Sequence, residues 1–303
     1  MVVAATGFFD GVHLGHLKVL NKMCSIAREE DKESMVISFW PHPRNILQQD
    51  ADKLRLLTSL DEKRNLCLSA GVDRFEVIPF SKEFSMLSVE EFMCKYLIGQ
   101  YNVSTLIIGY DHKLGHDVSQ SQNDMIAIAE KCGIRPVRVD EFVSEEMVVS
   151  STAIRNLLSE GDVSRANELL GYRYALHGVV VAGNKIGRTY GFPTANLQLY
   201  EPLKLVPSHG VYMVWAEIAG KVYRGICNIG NRPTMCDNRG ITIETHLLDF
   251  DEDIYGLDLK IEFVSKIRNE QKFESIDCLK MQLTKDKEFA YNNMGDPTII
   301  VMR

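Results

Sequence analysis

The chain has 303 residues, of which 45% are hydrophobic and 25% are charged. This composition is that of an ordinary globular protein, and the length suits two domains of about 150 residues each. The formal net charge of −7 disfavours a nucleic-acid-binding protein, which usually carries a basic surface. No apolar run approaches the ~18 residues of a membrane span, and the N-terminus lacks the pattern of a secretory signal. We therefore expect a cytoplasmic protein that binds neither nucleic acid nor membrane.

The seven cysteines are scattered along the chain, and they form no C-x-x-C pair. An odd number without regular spacing does not suggest a disulfide framework. We expect reduced thiols, several of them buried, and assign them no function.

The first half of the chain alternates short apolar runs with helical stretches. In chain order, strands are predicted over Met1–Thr6, Ser34–Phe39, Arg74–Ile78, Thr105–Ile108 and Pro136–Val139, and helices over Leu14–Glu30, Leu60–Ala70, Val89–Leu97 and Asn123–Cys132. Strands that alternate with helices indicate βαβ units and a parallel sheet. Ligands of such a sheet bind where the carboxyl ends of the strands lead into helices.

The second half has a different pattern. Two short helices, Thr152–Ser159 and Val163–Leu170, are followed by closely spaced strands and one amphipathic helix: Tyr174–Val181, Val211–Ile218, Lys221–Asn228, Ile241–Leu248, Leu259–Val264 and, as the helix, Ser275–Tyr291. Strands without intervening helices indicate an antiparallel barrel or sandwich. The change of pattern near Gly171–Tyr172 predicts domains over residues 1–171 and 172–303.

The segment TGFFDGVHLGH at Thr6–His16 follows the first predicted strand and opens the first helix. His13 and His16 are three residues apart and can project from the same side of the helix start. Gly15 lets an anion approach the backbone, where free N–H groups and the helix dipole favour phosphate. Two imidazoles at that point can donate charge-assisted hydrogen bonds to a phosphate under attack. Taken alone, the segment also fits a glycine-rich turn with two structural histidines.

A zinc site is a further alternative for these histidines. Together with His112 and His116 they offer four imidazole nitrogens. The sequence has no H-E-x-x-H motif and no carboxylate arranged as a partner to them, which disfavours this interpretation.

The first motif resembles the G-x-F-D-G-x-H-x-G-H of the H-x-G-H nucleotidyltransferases, specifically the adenylyltransferase module of prokaryotic riboflavin kinase/FAD synthetases. Three later segments are similar to motifs of that family in order and spacing: Phe39–Arg44 (FWPHPR), Ile108–Asp111 (IGYD) and Ser150–Arg155 (SSTAIR). The loop after Asp111 departs from the family, because His112 and Leu114 replace two usual aromatic residues and the basic stretch is thin. A riboflavin kinase whose first domain has lost adenylylation therefore stays an alternative.

The resemblance implies that the FMN phosphate attacks the α-phosphorus of ATP while pyrophosphate leaves on Mg²⁺. Because the nucleophile is already an anion, catalysis consists chiefly of positioning and charge stabilisation. His13, His16 and Arg155 are the implied catalytic residues. The residues implied to bind ATP and its phosphates here are Gly7, Phe8, Asp10, Gly15, Asp111, Ser151 and Thr152.

Three glycines and two basic side chains lie in the run Gly183–Leu197 (GNKIGRTYGFPTANL). Such a loop can bind phosphates, although it is neither a Walker A motif nor a Rossmann fingerprint. Its Pro-Thr-Ala-Asn segment resembles the P-T-A-N motif of riboflavin kinases. The resemblance implies that Thr194 and Asn196 hold Mg²⁺ through hard oxygen ligands. It implies phosphate binding by Gly183, Lys185, Gly187 and Arg188.

Further similar segments are Gly225–Pro233, Glu244–His246, Ile254–Gly256 and Ile267–Phe273. The resemblance implies that Glu244 takes the proton of the riboflavin 5′-hydroxyl and that Asn228 and Arg268 contact the flavin. Strand alternation places Glu244 on one face together with Thr242 and His246, and Ile243 and Thr245 on the other. The acidic run Asp249–Asp253 is interpreted as a solvated hairpin tip.

The sequence therefore predicts a Rossmann-like α/β nucleotidyltransferase domain, followed by a six-stranded antiparallel β-barrel with a C-terminal helix. The implied enzyme uses MgATP to phosphorylate riboflavin to FMN and then to adenylylate FMN to FAD. Its partners are these small molecules, and no protein partner is required. A non-catalytic flavin-binding protein and a synthetase of another coenzyme are further alternatives.

Overall fold

The structure is a computed structural model that describes residues 1–43, 46, 54–110, 121–144, 147–183, 191–231 and 240–295, the side chains of residues 144 and 147 excepted. Its contacts divide the chain into two compact units, Met1–Ser151 and Thr152–Arg303. Among the described residues, none of the helices has the length and apolar character that crossing a bilayer requires.

The first unit is built on a five-stranded parallel sheet in the order β3-β2-β1-β4-β5. The strands are β1 (Val2–Thr6), β2 (Glu33–Trp40), β3 (Arg74–Pro79), β4 (Val103–Ile108) and β5 (Arg135–Arg138). The helices are α1 (Leu14–Glu29), α2 (Leu60–Ser69), α3 (Lys82–Ser85), α4 (Val89–Phe92) and α5 (Gln122–Lys131). The predicted Rossmann-like α/β fold is confirmed.

The central strand β1 is buried along its whole length, as expected for a strand of a parallel sheet that is covered on both faces. It pairs with β2 on one side and with β4 on the other. The strand order therefore reverses direction between β1 and β4, which is where such sheets bind ligands. The loops that leave β1 and β4 carry the first motif and the IGYD segment.

The structure differs from the sequence prediction in the segment after Ser88. One helix was expected over Val89–Leu97, whereas α4 ends at Phe92 and a π-helix covers Met93–Ile98. The hydrogen bond from Gly99 N to Cys94 O has the five-residue spacing of that wider helix. A short hairpin, β6 (Val143–Ser144) with β7 (Met147–Val148), was also not predicted.

The second unit contains a closed barrel in the order β10-β11-β12-β9-β8-β13, as predicted. Its strands are β8 (Ala175–Val181), β9 (Ala195–Leu199), β10 (Gly210–Ile218), β11 (Lys221–Asn231), β12 (Ile241–Leu247) and β13 (Asp258–Arg268). Its helices are α6 (Ser151–Glu160), α7 (Val163–Leu170) and α8 (Ile276–Asn293). Strand β9 was missed by pattern analysis because it is short and its first two residues, Ala195 and Asn196, belong to the P-T-A-N segment.

Helices α6 and α7 are bonded to the barrel. The Asn167 side chain donates to the carbonyl of Phe263 at 2.9 Å and accepts from the backbone N–H of Tyr174 at 2.7 Å. Ser208 N donates to Leu158 O at 3.0 Å. These contacts place both helices in the second unit, whereas the sequence predicted a domain boundary at residues 171–172. The boundary at residues 171–172 between the two predicted catalytic domains stays a prediction.

The C-terminal helix α8 is anchored to the barrel by an ion pair. Arg268, the last residue of β13, donates from Nε to Oδ1 of Asp286 at 3.1 Å and from Nη2 to Oδ2 at 2.7 Å. Asp286 is 1% exposed, and it also accepts from Gln282 Nε2 at 2.8 Å. A bidentate pair of this kind holds both side chains in one orientation.

We expect Asp286→Leu to destabilise the second unit by about 3 kcal/mol, because removing one partner leaves the other charge partly buried and unpaired. Asp286→Asn keeps acceptor and size and should cost less. Urea unfolding of the two variants and the parent protein measures the difference. Equal stability of the Leu variant and the parent would show that the pair does not anchor α8.

Candidate active sites

The first candidate site lies where β1 leads into α1. His13 is the N-cap of α1, and its Nδ1 accepts a hydrogen bond from His16 N at 3.3 Å. The two imidazole rings are stacked, with centroids 3.7 Å apart and planes 18° apart. Gly15 fits closely between them, since a Cβ there would lie only 3.1 Å from Nδ1 of His13 and 3.2 Å from the carbonyl oxygen of Val149.

The loop before His13 has an unusual backbone. Phe9 has φ 50° and Val12 has φ 36°, although neither is glycine and both are buried. A β-branched residue in this region is uncommon, and such conformations concentrate at functional sites. The geometry agrees with the prediction that this loop serves ligand binding.

Asp10 holds this loop in place. Its carboxylate accepts hydrogen bonds from the backbone N–H groups of Leu57 and Thr58 at 3.0 and 3.1 Å and from the Thr58 hydroxyl at 3.2 Å. Its carbonyl accepts from Ser151 Oγ at 2.8 Å. A buried carboxylate engaged in this way also repels phosphate. These contacts indicate a positioning role for Asp10, and its contact with ATP stays a prediction.

His16 is electrically neutral near pH 7. Burial of the ring, followed by the neighbouring His13 and Lys63, lowers its pKa well below the usual histidine value. Folding thus favours the neutral form, so acidification through the ordinary histidine range costs stability. The charge-assisted hydrogen bond from His16 to phosphate stays a prediction, and it requires the ring to gain a proton when the ligand binds. Within the described part of the chain, its Nδ1 is buried and has no hydrogen-bond partner.

The other predicted residues of the first site are distributed as follows. Gly7 N donates to Ile37 O at 3.1 Å. The half-buried Phe8 ring lies 4.0 Å from the ring of His42, between centroids. Thr152 and Arg155 lie on α6, in the second unit. Asp111 and the departing loop up to Gln120, with His112 and His116, lie outside the described residues, as does Arg44.

The second candidate site lies on the outer face of the barrel. Residues directly opposite each other on neighbouring strands share a face, and Glu244 of β12 is opposite Asn228 of β11 and Asn196 of β9. Thr194 Oγ1 donates to Glu244 Oε2 at 3.4 Å. Four residues that the sequence analysis selected separately are therefore adjacent. The predicted alternation along β12 is confirmed.

Gly183 is packed directly against the Asn196 side chain. A Cβ at this position would overlap the Asn196 amide group. Glycine is therefore needed here for close approach, and its effect on phosphate binding is indirect. The remaining predicted members of this loop, Lys185, Gly187 and Arg188, lie outside the described residues.

His246 is a site residue for which sequence reasoning assigned no role. It lies two residues after Glu244 on the same face, and its Nδ1 is 2.8 Å from the carbonyl oxygen of Pro193. Burial lowers its pKa, although the Pro193 carbonyl opposes this. The contact holds the backbone directly before Thr194. Its position in the outward series of β12 was the available signal.

A pocket opens beside Thr194. It is lined by Val180, Pro193, Thr194, Ala195, Thr245, Leu247, Phe250, Asp251, Glu252, Asp253, Ile254 and Tyr255. Asp251, Glu252 and Asp253 are solvent-exposed, as predicted for a hairpin tip, yet they also form one wall of this pocket. The interpretation of the acidic run as a solvated hairpin tip therefore leaves out its contact with the pocket.

Comparisons with known proteins show which families the two halves of the chain resemble. Residues 1–153 match the FAD synthetase family and residues 170–294 match the riboflavin kinase family. A Bacillus subtilis protein described as a bifunctional riboflavin kinase/FMN adenylyltransferase is 40% identical, over 95% of this chain and 91% of its own. An Escherichia coli K12 protein of the same description is 35% identical, over 97% and 93%. The chain belongs to this bifunctional family.

A solved structure from Streptococcus pneumoniae, described as a macrolide-efflux protein, is 30% identical and matches with a TM-score of 0.88 over 96% of this chain and 94% of that one. This likeness supports the fold of the two units.

As a member of the bifunctional family, the protein phosphorylates riboflavin to FMN with ATP and transfers the adenylyl group of ATP to FMN, forming FAD. Both families are matched, so the bifunctional interpretation is confirmed over a kinase with a degenerate first domain. The substrates and products are thus ATP, riboflavin, FMN and FAD.

The side-chain contacts of Arg268 do not support its predicted contact with the flavin. Its guanidinium binds Asp286, and Nη1 donates to the carbonyl of Asn269 at 3.2 Å. The contacts indicate that Arg268 anchors α8, and its role toward flavin stays a prediction.

We expect Gly183→Ala to lower riboflavin phosphorylation by roughly 10²-fold, because the added methyl group displaces Asn196 by about an ångström. FAD formation from supplied FMN should not change. Separate assays of the two activities measure this. Gly295→Ala is the matched control, since a Cβ there meets no atom within 4 Å. An unchanged kinase rate in the Gly183 variant would mean that the position of Asn196 is unimportant.

Proposed function

We propose that the two activities use separate sites, with adenylyl transfer in residues 1–171 and riboflavin phosphorylation in residues 172–303. The family matches over residues 1–153 and 170–294 support this division. The clusters around His13 and around Glu244 lie in different units, which also supports it.

In the adenylyl-transfer site, His13, His16 and the backbone at Gly15 bind the phosphates under attack. The observation that carries this proposal is the stacked histidine pair at the N-terminus of α1, beside the point where the sheet order reverses. Backbone N–H groups at a helix start favour anions. Ser151, at the end of the first unit, contributes a hydroxyl group, and the roles of Thr152 and Arg155 rest on the resemblance of their motif alone. Because the FMN phosphate is already ionised, the histidines orient and stabilise charge, and neither needs to take a proton.

In the kinase site, Glu244 takes the proton of the riboflavin 5′-hydroxyl as that oxygen attacks the γ-phosphorus of ATP. The observation that carries this role is the adjacency of Glu244 to Thr194, Asn196 and Asn228. Thr194 and Asn196 would hold Mg²⁺, since hydroxyl and amide oxygens are the hard ligands that this ion prefers. The bound ion supplies charge neutralisation at the transferring phosphate. Asn228 faces the flavin.

The pocket beside Thr194 receives the adenine of ATP in the kinase reaction. Val180, Leu247, Ile254 and Tyr255 give it apolar walls suited to a planar base, while acidic side chains line its rim. Thr194, which is proposed to hold the Mg²⁺ of MgATP, also lines this pocket, and this supports the proposal.

We further propose that the enzyme acts in the cytoplasm and needs no protein partner. All substrates of both reactions are small molecules, which supports this proposal.

We expect the double variant His13→Ala, His16→Ala to stop FAD and pyrophosphate formation while FMN formation continues. The physical reason is loss of the phosphate-binding imidazoles from one unit only. Chromatography of riboflavin, FMN and FAD after incubation with MgATP measures both activities. Equal loss of the two activities in a folded variant would contradict independent sites.

Glu244→Gln should lower riboflavin phosphorylation by roughly 10²–10⁴-fold, because the amide has nearly the same shape and cannot accept the proton. The loss should appear in the chemical step with little change in flavin affinity, and FMN supplied directly should still become FAD. Glu217→Gln, at an exposed position of β10, is the control. Near-parental turnover with chemistry rate-limiting would remove Glu244 from the base role.

A further inference from the structure

Lys63 is a fully buried cation. It lies in the first turn of α2, is 0% exposed, and among the described residues its Nζ has no hydrogen-bond partner. The ammonium lies 3.4 Å from the centroid of the Phe8 ring. A lysine is almost never fully buried unless it is paired, since an unpaired buried charge is costly.

The groups that face Lys63 do not neutralise it by contact. Asp10 and Cys67 act on it electrostatically, but the Asp10 oxygens are engaged by the backbone of Leu57 and Thr58. From α1, His16 is neutral near pH 7. Burial lowers the pKa of Lys63 to about 8, and the charges of Asp10 and Cys67 oppose this. Lys63 is therefore mostly protonated at neutral pH.

Lys63 belongs to the same cluster as the first motif. Phe8, whose ring covers the ammonium, and Asp10 lie in the motif loop, and His16 lies in the helix that the loop opens. His16 Nδ1 is a second buried polar atom without a hydrogen-bond partner among the residues that the structure describes. Two such atoms from different helices indicate a ligand that supplies hydrogen-bond partners, and the Lys63 ammonium favours a negatively charged one. The FWPHPR segment also reaches the cluster, since His42 packs on Phe8.

We propose that the Lys63 ammonium binds a phosphate group of the substrates of adenylyl transfer, as a further residue of that site. The inference rests on the proposed function of the His13–His16 cluster. A charge-assisted hydrogen bond to phosphate replaces the weaker attraction to the Phe8 ring. An FMN phosphate oxygen forms the new bond to the α-phosphorus, and the bond to pyrophosphate breaks with its electron pair. Lys63 keeps its proton and stabilises the negative charge.

Lys63→Met tests this, since methionine keeps the length of the chain and removes the charge. We expect kcat/KM of FAD formation from FMN to fall roughly 10²-fold, the usual cost of losing one preorganised charge-stabilising group. Riboflavin phosphorylation and melting temperature should not fall, because a buried unpaired charge is removed. Lys22→Met, an exposed lysine of α1, is the matched control. Varying ATP and FMN in turn distinguishes the phosphate source, because KM rises for the substrate that Lys63 holds.

The pH dependence of adenylyl transfer is a further test, because Lys63 would not affect it if its role were only structural. In the parent enzyme and the Lys22 variant, kcat/KM for adenylyl transfer should fall between about pH 7 and pH 9 as Lys63 loses its proton in the free enzyme. The Lys63→Met variant should lack this decline. A flat profile in the parent enzyme overturns the proposal even if the variant does not fold, as does near-parental kcat/KM in a folded variant.

The double histidine variant separates the two levels of inference. If it stops FAD formation while Lys63→Met does not, the site stands and the role of Lys63 is wrong. If the histidine variant still forms FAD, the assigned site itself is wrong and the Lys63 inference falls with it.

Discussion

The first site depends on one buried carboxylate. Asp10 accepts hydrogen bonds from the segment that leads into α2, while its carbonyl accepts from Ser151 at the start of α6. The loop between β1 and α1 is thereby tied to two segments distant in sequence. Because backbone N–H groups are the donors, the carboxylate fixes the segment directly before α2, which itself begins at the capping box of Ser59 and Glu62. The strained φ angles of Phe9 and Val12 persist because these contacts hold the loop.

The second site depends on the two-residue period of strands. Alternation sends Ile243 and Thr245 into the barrel and leaves Glu244 and His246 on the outer face. Antiparallel register then brings Asn196 and Asn228 beside Glu244. Since a shift by one residue would turn every side chain to the other face, the apolar interior of the barrel also fixes the arrangement of the site.

Arg268, which is partly buried, and Lys63, which is fully buried, are stabilised in two different ways. Arg268 is paired with Asp286, and this bidentate contact anchors α8. Lys63 has no such partner, and burial lowers its pKa to about 8. The first arrangement suits a permanent structural contact, because removing either partner exposes an uncompensated charge. The second arrangement suits the binding of a ligand, because a bound phosphate stabilises the ammonium group most where the contacts of that group with the protein are weak. In a chain of net charge −7, such local cations are what attract anionic substrates.

The sequence alone determined the two-domain fold class, the family and the identity of the clustered residues around His13 and Glu244, because periodicity and motif order are local properties. It also predicted the outward face of β12. Only the tertiary structure decided that Asp10 positions a loop, that Arg268 pairs with Asp286, and that His16 is neutral, since these depend on which groups burial brings together. The π-helix after Phe92, strand β9 and the attachment of α6 and α7 to the barrel likewise escaped prediction. Lys63 looked like an ordinary helical lysine in the sequence, and burial beneath Phe8 is a fact of packing.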